Sequence, residues 1–304
     1  MENSVLPELQ ERYQAATQSF VDRVKDDPNV IAVIVCGSLA YDAVWEKSDI
    51  DMGMIVRDQT LQQNAYCLVE DGITINVQLY DRSGFKRGFD RLVGGSMPQS
   101  FFAKGQMVYT TDDSLYEYFE EFKRLGSQDI ARSLLYSSCE LIDVYHKCQK
   151  WLTVRKDPLY AQFFLLKAAN LIAGMELTAA GEPPIRESVL LVQERSPEQM
   201  APFYQNPLSG RLSEEELWSA IWEIGQALDR HLDAISRSVL EFMADQQLKT
   251  VTLLAKHFHM EGHYLINILE YMAEKGIIEK VSQTIRITSK SKPAVEEIGF
   301  LYIP

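Results

Sequence analysis

The sequence has few of the features that mark membrane-embedded, secreted or nucleic-acid-coating proteins. It contains no run of the ~18 apolar residues that a membrane-spanning helix needs. Its first residues, MENSVLPELQ, lack the basic and apolar regions of a signal peptide. The four cysteines are scattered, without the spacing of a zinc site or a disulfide framework. The formal net charge of −13 disfavours broad affinity for nucleic acid, whose phosphates would be repelled. We therefore expect a cytoplasmic protein without a membrane contact.

What is present is the composition of an ordinary globular protein, with 46% hydrophobic and 24% charged residues. A length of 304 residues allows two or three domains. Short apolar runs mixed with a helical pattern fill the first third, helical periodicity dominates the middle, and a small separate pattern closes the chain. We predict domains at 1–113, 114–247 and 248–304.

The most informative stretch is 30–56. Val30 to Cys36 is a continuous apolar run, which is typical of a strand buried on both faces. Gly37-Ser38 follows, where the glycine lets a ligand approach the backbone and the serine is expected to cap a helix over 39–44. Backbone N–H groups at that helix start, together with the Ser38 hydroxyl, would hold phosphate oxygens.

Two carboxylates open the next apolar run, in the order Ser48-Asp49-Ile50-Asp51. Residues two apart in a strand lie on one face, so Asp49 and Asp51 are expected to point the same way while Ile50 enters the core. Carboxylates this close repel each other unless a cation lies between them. A hard divalent ion such as Mg²⁺ would remove the repulsion and leave positions open for triphosphate oxygens.

This pattern resembles the nucleotidyltransferase superfamily typified by DNA polymerase β, and 30–113 is most similar to the aminoglycoside nucleotidyltransferases of the kanamycin-modifying kind. The resemblance implies an α/β (α+β) domain with a mixed sheet, Mg²⁺ as cofactor and an NTP, expected to be ATP, as substrate. It also implies transfer of a nucleoside monophosphate to an acceptor hydroxyl. Gly37, Ser38 and Ser48 would then contact the nucleotide, and Asp49 and Asp51 would bind the metal and support catalysis.

One position departs from the family pattern. The family usually has a third carboxylate on a following strand, here predicted over 73–80, and the matching residue is Asn76. An amide oxygen can bind a metal but an amide cannot take up a proton near neutral pH. Either another carboxylate, Asp81, Glu70 or Asp71, replaces it, or the site binds nucleotide without efficient turnover.

The rest of the chain predicts two further domains. Apolar residues at helical spacing over 114–247 indicate a helical bundle. The final part, 248–304, has the order helix, turn, helix, hairpin of a winged-helix-like unit, with the hairpin expected between 277–281 and 284–288. Residues 249–292 carry seven lysines or arginines against four glutamates, a local +3 that is compatible with DNA contact. Such units also bind proteins or form dimers.

These observations predict a Mg²⁺-dependent nucleotidyltransferase with an unidentified acceptor, for which an aminoglycoside-like small molecule is one candidate. The alternative is a nucleotide-sensing, DNA-binding regulator built on a catalytically weakened nucleotidyltransferase fold, as Asn76 would suggest. A third hypothesis is adenylylation of a partner protein. The partners expected are a nucleotide, the acceptor, DNA at the C-terminal unit and a second copy in a homodimer.

Overall fold

The structure of the protein is a computed structural model that describes residues 5–40, 44–90, 102, 104–288, 290–293 and 295–303. The chain divides into two compact units, Met1–Leu125 and Gly126–Pro304. The first unit includes a helix over 113–122 that the sequence analysis assigned to the helical region. The further division of 126–304 into a bundle and a winged-helix-like domain stays a prediction.

The first unit is built from five strands and four helices of the described residues. Its strands are β1 Val30–Cys36, β2 Ile50–Val56, β3 Ala65–Glu70, β4 Ile73–Asp81 and β5 Gln106–Thr110. Its helices are α1 Val5–Val24, α2 Gly37–Ala40, α3 Arg82–Asp90 and α4 Asp113–Phe122.

The five strands form one mixed sheet in the order β3-β4-β2-β1-β5. Strands β2 and β4 run parallel, and every other neighbouring pair is antiparallel. Parallel β2 and β4 need a crossover, and the β3 strand at the sheet edge lies within that connection. The predicted fold class, a mixed sheet flanked by helices, is confirmed.

Both faces of the sheet are covered, which explains why β1 is apolar throughout. On one face Ile50, Ile75 and Val35 pack with the apolar side of α1. On the other face Ile34 and Cys36 pack with aromatic residues of α3, α4 and residue 102, namely Phe85, Phe119 and Phe102. A central strand with no solvent face needs an apolar residue at every position, and all seven residues of β1 are buried.

The second unit is mainly helical. Its helices are α5 Ser127–Thr153, α6 Pro158–Ala179, α7 Ser188–Arg195, α8 Pro197–Met200, α9 Gln205–Ser209, α10 Glu214–Arg230, α11 Leu232–Phe242, α12 Val251–Phe258 and α13 Gly262–Glu274. Its strands are β6 Lys249–Thr250, β7 Glu279–Ile285 and β8 Val295–Leu301. One core runs from Leu134 on α5 to Phe300 on β8, so the C-terminal elements share the packing of the long helices.

The predicted hairpin between 277–281 and 284–288 is wrong. A single strand, β7, runs through Ser282-Gln283 and pairs with β8, from Glu279 opposite Leu301 to Ile285 opposite Val295. Ser-Gln has neither the glycine nor the asparagine that a two-residue hairpin turn favours, so the chain stays extended there. The three strands lie in the order β6-β8-β7 beside α12 and α13.

No helix within the described ranges has the length and apolar content needed to cross a membrane. Three of the cysteines, Cys36, Cys139 and Cys148, are buried, and Cys67 on β3 is exposed.

Candidate functional site

The register of the sheet places four residues in one row across neighbouring strands. Cys36 at the end of β1 lies opposite Asp51 on β2, Asp51 lies beside Asn76 on β4, and Asn76 lies opposite Cys67 on β3. Gly37, which follows β1, and the two aspartates at the start of β2 therefore meet at the same end of the sheet. Sequence spacing alone had suggested this meeting, and the strand pairing produces it.

Gly37 and Asp51 approach each other more closely than any other residue type at position 37 would allow. A Cβ on residue 37 would lie 3.2 Å from the Cβ of Asp51, and closer still to its Oδ2. Gly37 also has φ of 65°, in the left-handed region that glycine adopts without strain. Position 37 thus requires glycine for two independent reasons, the left-handed backbone conformation and the close carboxylate of Asp51.

Asp49 and Asp51 converge on the side-chain amide of Asn76. The Asn76 Nδ2 donates to Asp49 Oδ2 at 2.5 Å and to Asp51 Oδ1 at 3.5 Å. Between them Ile50 is fully buried in the core, so the alternation predicted for this segment is what the structure has. One donor group reaching both carboxylates shows that their oxygens face a common point.

The donor set at this point suits a hard divalent cation. Two carboxylates and one amide oxygen are ligands that Mg²⁺ accepts, and Mg²⁺ is bound in enzymes by one or two carboxylates together with phosphates and water. Asn76 can exchange its N–H group for its oxygen by rotating about its last side-chain bond. In the structure its N–H group faces both carboxylates, and its oxygen would face a bound cation.

Of the carboxylates proposed for the third position, Asp71 lies in the turn between β3 and β4, and Glu70 and Asp81 are hydrogen-bonded to other groups. Glu70 is buried, accepts from the Ser19 hydroxyl at 2.7 Å and pairs with Arg23 at 3.1 Å. Asp81 lies opposite Val56, at the other end of the sheet from Asp51, and accepts from the Gly84 N–H. In the part of the chain that the structure describes, no three acidic, histidine or cysteine side chains form a metal-binding group. Asn76 is the residue that β4 places beside Asp51 and that contacts both aspartates.

Ser38 does not precede a helix as predicted. Helix α2 begins at Gly37, which puts Ser38 inside its first turn and not at the cap. The chain turns from β1 into the helix at Gly37, whose φ is 65°. The described helix ends at Ala40, Val44 is not helical, and 41–43 of the predicted helix lie outside the described residues.

Ser48 has a structural contact that sequence reasoning did not find. Its hydroxyl accepts from the Trp45 N–H at 3.1 Å, and its carbonyl accepts from the Tyr13 hydroxyl at 2.6 Å. Tyr13 is buried on α1 and also donates to the Trp45 carbonyl at 3.3 Å. This one phenol therefore fixes the turn that leads into Asp49. The sequence showed Tyr13 only as part of the apolar face of a helix, and nothing in it marked the hydroxyl.

Two side chains in or near this row, Cys36 and Tyr80, have raised pKa values. Burial, followed by the charge of Asp51, raises the pKa of the Cys36 thiol well above its usual range. Burial raises the pKa of Tyr80 to about 12, with a smaller contribution from Cys36. Both groups thus stay protonated near neutral pH. The exposed Cys67 donates its S–H to Asn76 Oδ1 at 3.4 Å, a contact that no sequence signal announced.

Two clefts open at opposite ends of the sheet. A cleft of about 220 Å³ lies beside Ser48 and Tyr13 and includes the exposed cations Arg12 and Lys47. A larger cleft of about 560 Å³ lies at the far end. Its Arg82 is held by Asp112 at 2.7 Å. Ser48, which precedes Asp49, lines the smaller cleft, but neither Asp49 nor Asp51 lines it.

Comparison with known proteins supports the fold. The chain is similar to a solved nucleotidyltransferase-like protein from Exiguobacterium sibiricum, with a TM-score of 0.63 and 13% identity over 95% of this chain and 99% of that one. It also matches a spectinomycin adenyltransferase, AAD(9), from Enterococcus faecialis solved with ATP and spectinomycin, at a TM-score of 0.33 and 14% identity over 72% of this chain and 99% of that one. No protein-family model and no curated protein sequence matches the chain.

The chain therefore has a nucleotidyltransferase-like fold. The Exiguobacterium protein extends this likeness through nearly the whole length of both chains, so the helical second unit belongs to the shared fold as well.

Proposed function

We propose that the protein is a Mg²⁺-dependent nucleotidyltransferase that uses an NTP, with ATP as the expected substrate. The observation that carries the proposal is the meeting of Gly37, Asp49 and Asp51 around the amide of Asn76. In this reading Asp49 and Asp51 hold the metal, Asn76 supplies its amide oxygen, and Gly37, Ser38 and Ser48 contact the triphosphate. The nucleotidyltransferase-like fold supports the assignment.

The chemistry is attack of an acceptor hydroxyl oxygen on the α-phosphorus of the NTP. The bond from that phosphorus to the bridging oxygen breaks, and pyrophosphate leaves. When bound, Mg²⁺ would supply charge stabilisation for the phosphate oxygens. Asp49 and Asp51 would hold that ion, and the absence of a Cβ at Gly37 leaves room beside Asp51. The hydroxyl proton passes to solvent water, because the amide of Asn76 cannot accept it.

The charge of the first unit favours a cationic acceptor. Residues 1–125 contain 20 aspartates and glutamates against 12 lysines and arginines, a net charge of −8. A negative potential raises the local concentration and the association rate of a positively charged small molecule. An aminoglycoside-like compound has both the positive charge and the hydroxyl groups, and we propose this class as the acceptor.

Transfer of the label from α-labelled NTPs to an acceptor tests the proposal. The protein is incubated with Mg²⁺, each of four α-labelled NTPs and a panel of aminoglycosides, and transfer of the label to the acceptor is followed. Asp49→Asn and Asp51→Asn are expected to lower transfer at least ~100-fold, because each removes a charge that holds the metal. Asp58→Asn is the matched control, since Asp58 is exposed and bonds Ser83 instead. Equal transfer by all three variants would exclude the proposed site.

An alternative function, a nucleotide-sensing regulator that binds DNA, is favoured by one feature of the second unit. Strands β6, β8 and β7 with α12 and α13 have the element order of a winged helix. The β7–β8 connection carries Arg286, Lys290 and Lys292, and none of the three makes an ion pair within the described residues. In contrast, Lys280 on β7 is paired with Glu270.

Retardation of duplex DNA by the full chain at two salt concentrations tests this alternative. Contacts to Arg286, Lys290 and Lys292 would give binding that weakens as salt rises, because bound cations are released from the phosphates. Retained NTP binding without label transfer, together with retardation, would favour the regulator. An absence of retardation at low salt would reject DNA binding.

A further inference from the structure

The second unit exposes an apolar and cationic surface where α5 ends and α6 begins. Residues 150–167 contain four lysines or arginines against one aspartate, a net +3 in a chain of −13. Large apolar side chains are exposed among these cations, with Val154 at 69%, Leu159 at 60% and Phe163 at 44% of full exposure. The basic surface, as we name it, consists of Lys150, Val154, Arg155, Lys156, Leu159, Tyr160, Phe163 and Lys167.

The cations of the basic surface are not neutralised by carboxylates of their own unit. The one acid of this segment, Asp157, accepts from the Tyr160 N–H at 3.0 Å as the N-cap of α6. Arg155 lies 5.9 Å from the ring of Trp151, and Lys167 lies 4.9 Å from the ring of Phe163. Within the described ranges, none of the four cations of this surface forms an ion pair. Their charge is available to an acidic group from outside.

A second exposed surface, of opposite charge, lies on α10. Residues 214–223 contain four glutamates and no lysine or arginine. Helical spacing places Glu215, Trp218 and Trp222 on one face, and Trp222 is 59% exposed. The acidic surface, as we name it, consists of Glu214, Glu215, Trp218 and Trp222. Glu214 and Glu215 have no ion-pair partner in the described chain, whereas Glu216 closes the capping box with Ser213.

The two surfaces are neighbours, because hydrogen bonds join α6 to the segment that precedes α10. Gln162 is buried on α6 next to Phe163, and its Oε1 accepts from the Leu212 N–H at 2.9 Å. Its Nε2 donates to the carbonyls of Pro207 and Gly210 at 2.7 and 2.8 Å. Residue 212 is two positions before the start of α10, so this side chain fixes the first turn of α10 beside α6.

From these contacts we infer that a second copy of this chain docks here, with the basic surface of each copy against the acidic surface of the other. A two-fold dimer needs a surface that is complementary to itself, and adjacent areas of opposite charge provide that. Both areas combine exposed aromatic residues with charged ones, and aromatic residues are enriched in stable protein interfaces. The remainder of the acidic chain would repel a second copy, and the +3 segment removes that repulsion locally.

Sedimentation velocity on the full chain over a range of concentrations tests the inference. One variant, Arg155→Glu with Lys156→Glu, makes the basic surface acidic. Another, Glu214→Lys with Glu215→Lys, makes the acidic surface basic. Each variant alone pairs like charges in both contacts of the dimer, so we expect at least a ~100-fold rise in its dissociation constant.

A mixture of the two variants is the decisive sample. In a mixed dimer both contacts again join opposite charges, so the mixture should sediment as a dimer while each component alone is a monomer. The control, Arg286→Glu with Lys290→Glu, reverses two exposed cations elsewhere in the unit and should dimerise like the wild type. Circular dichroism establishes that each variant is folded, and Trp222→Ala, which changes no charge, should also weaken the dimer.

Several results would overturn the inference. A wild-type chain that is monomeric at every concentration excludes the dimer. A dimer that survives both reversals, that the control reversal disrupts equally, or that does not re-form in the mixture, excludes these surfaces as its interface. The proposed nucleotide site is in the other unit and is measured by label transfer, so the two proposals fail separately.

Discussion

Gly37 and Asp51 share a space that has room for only one of their side chains. A Cβ on residue 37 would lie 3.2 Å from the Cβ of Asp51, while the backbone of residue 37 has φ of 65°. Gly37→Ala should therefore displace Asp51, lower the free energy of unfolding by about 1–3 kcal/mol and abolish label transfer. Thermal unfolding and the transfer assay measure these effects.

Gly72→Ala is the control for this prediction. Gly72 has a similar φ of 76°, but a Cβ there would meet nothing within 4 Å. The Gly72→Ala variant has the same kind of backbone strain but no steric clash with a neighbouring side chain. It should therefore destabilise the fold less than Gly37→Ala does and keep Mg²⁺-dependent nucleotide binding. Equal loss of binding in both variants would show that strain, and not the contact with Asp51, is responsible.

Replacing Asn76 by aspartate should make the fold depend on Mg²⁺. Asn76 donates to both Asp49 and Asp51, and a third carboxylate in its place would repel them. Without metal we expect a loss of about 1–4 kcal/mol, and with millimolar Mg²⁺ a recovery larger than the response of the wild type. Thermal unfolding in chelator and in Mg²⁺ measures this. Asn170→Asp, on an exposed position of α6, should show no difference between the two conditions.

Tyr13→Phe should loosen the turn before Asp49. The substitution removes the hydroxyl that donates to the carbonyls of Ser48 and Trp45 but keeps the buried ring. We expect a loss of about 1 kcal/mol in unfolding free energy and weaker NTP binding in calorimetry. Tyr109→Phe removes a similar hydrogen bond, to the Lys25 carbonyl, at the other end of the sheet. Unchanged NTP affinity in Tyr13→Phe would show that this turn does not shape the site.

The N-cap of α4 should give the first unit a measurable acid sensitivity. Asp112 accepts from Ser114 and from Arg82, and these hydrogen bonds lower its pKa to about 2. The folded-state pKa lies below the usual value of about 3.9, so this stabilisation is complete above about pH 4 and is lost as pH falls towards about 2.

Asp112→Ala should therefore lower the unfolding free energy by about 1–2 kcal/mol near neutral pH, with a smaller difference from the wild type near pH 2. Chemical unfolding at a series of pH values gives the comparison. Asp113→Ala, one residue on and exposed, should cost less than ~0.5 kcal/mol throughout. A difference that is constant over the whole pH range would contradict the ionic origin of the effect.

Much of the first unit could be predicted from the sequence because burial leaves a pattern there. Val30–Cys36 is apolar at every position, and β1 has those bounds. The alternation around Ile50 predicts Asp49 and Asp51 on one face, the family resemblance matches Asn76 to the third position, and the sheet pairs Asp51 with Asn76 directly. Where residues must enter a core, their spacing reports the face on which the polar neighbours lie.

Elements set by backbone pairing or by single polar contacts could not be predicted in the same way. In β3 all residues except Glu70 are exposed, so its sequence has no burial pattern and only pairing with β4 makes it a strand. The partner of β7 was misassigned for the same reason, since β7 is mostly exposed and its true partner begins at Val295. The hydroxyl of Tyr13 acts through two hydrogen bonds and the thiol of Cys67 through one, and no periodicity records such contacts.

A crystal structure of the protein with Mg²⁺ and a non-hydrolysable ATP analogue tests the central claim most directly. We predict a cation bound by the carboxylates of Asp49 and Asp51, with the amide oxygen of Asn76 turned towards it and the triphosphate against the Gly37-Ser38 backbone. A nucleotide bound elsewhere, or a cation held by other residues with Asn76 still donating to both aspartates, would contradict the account.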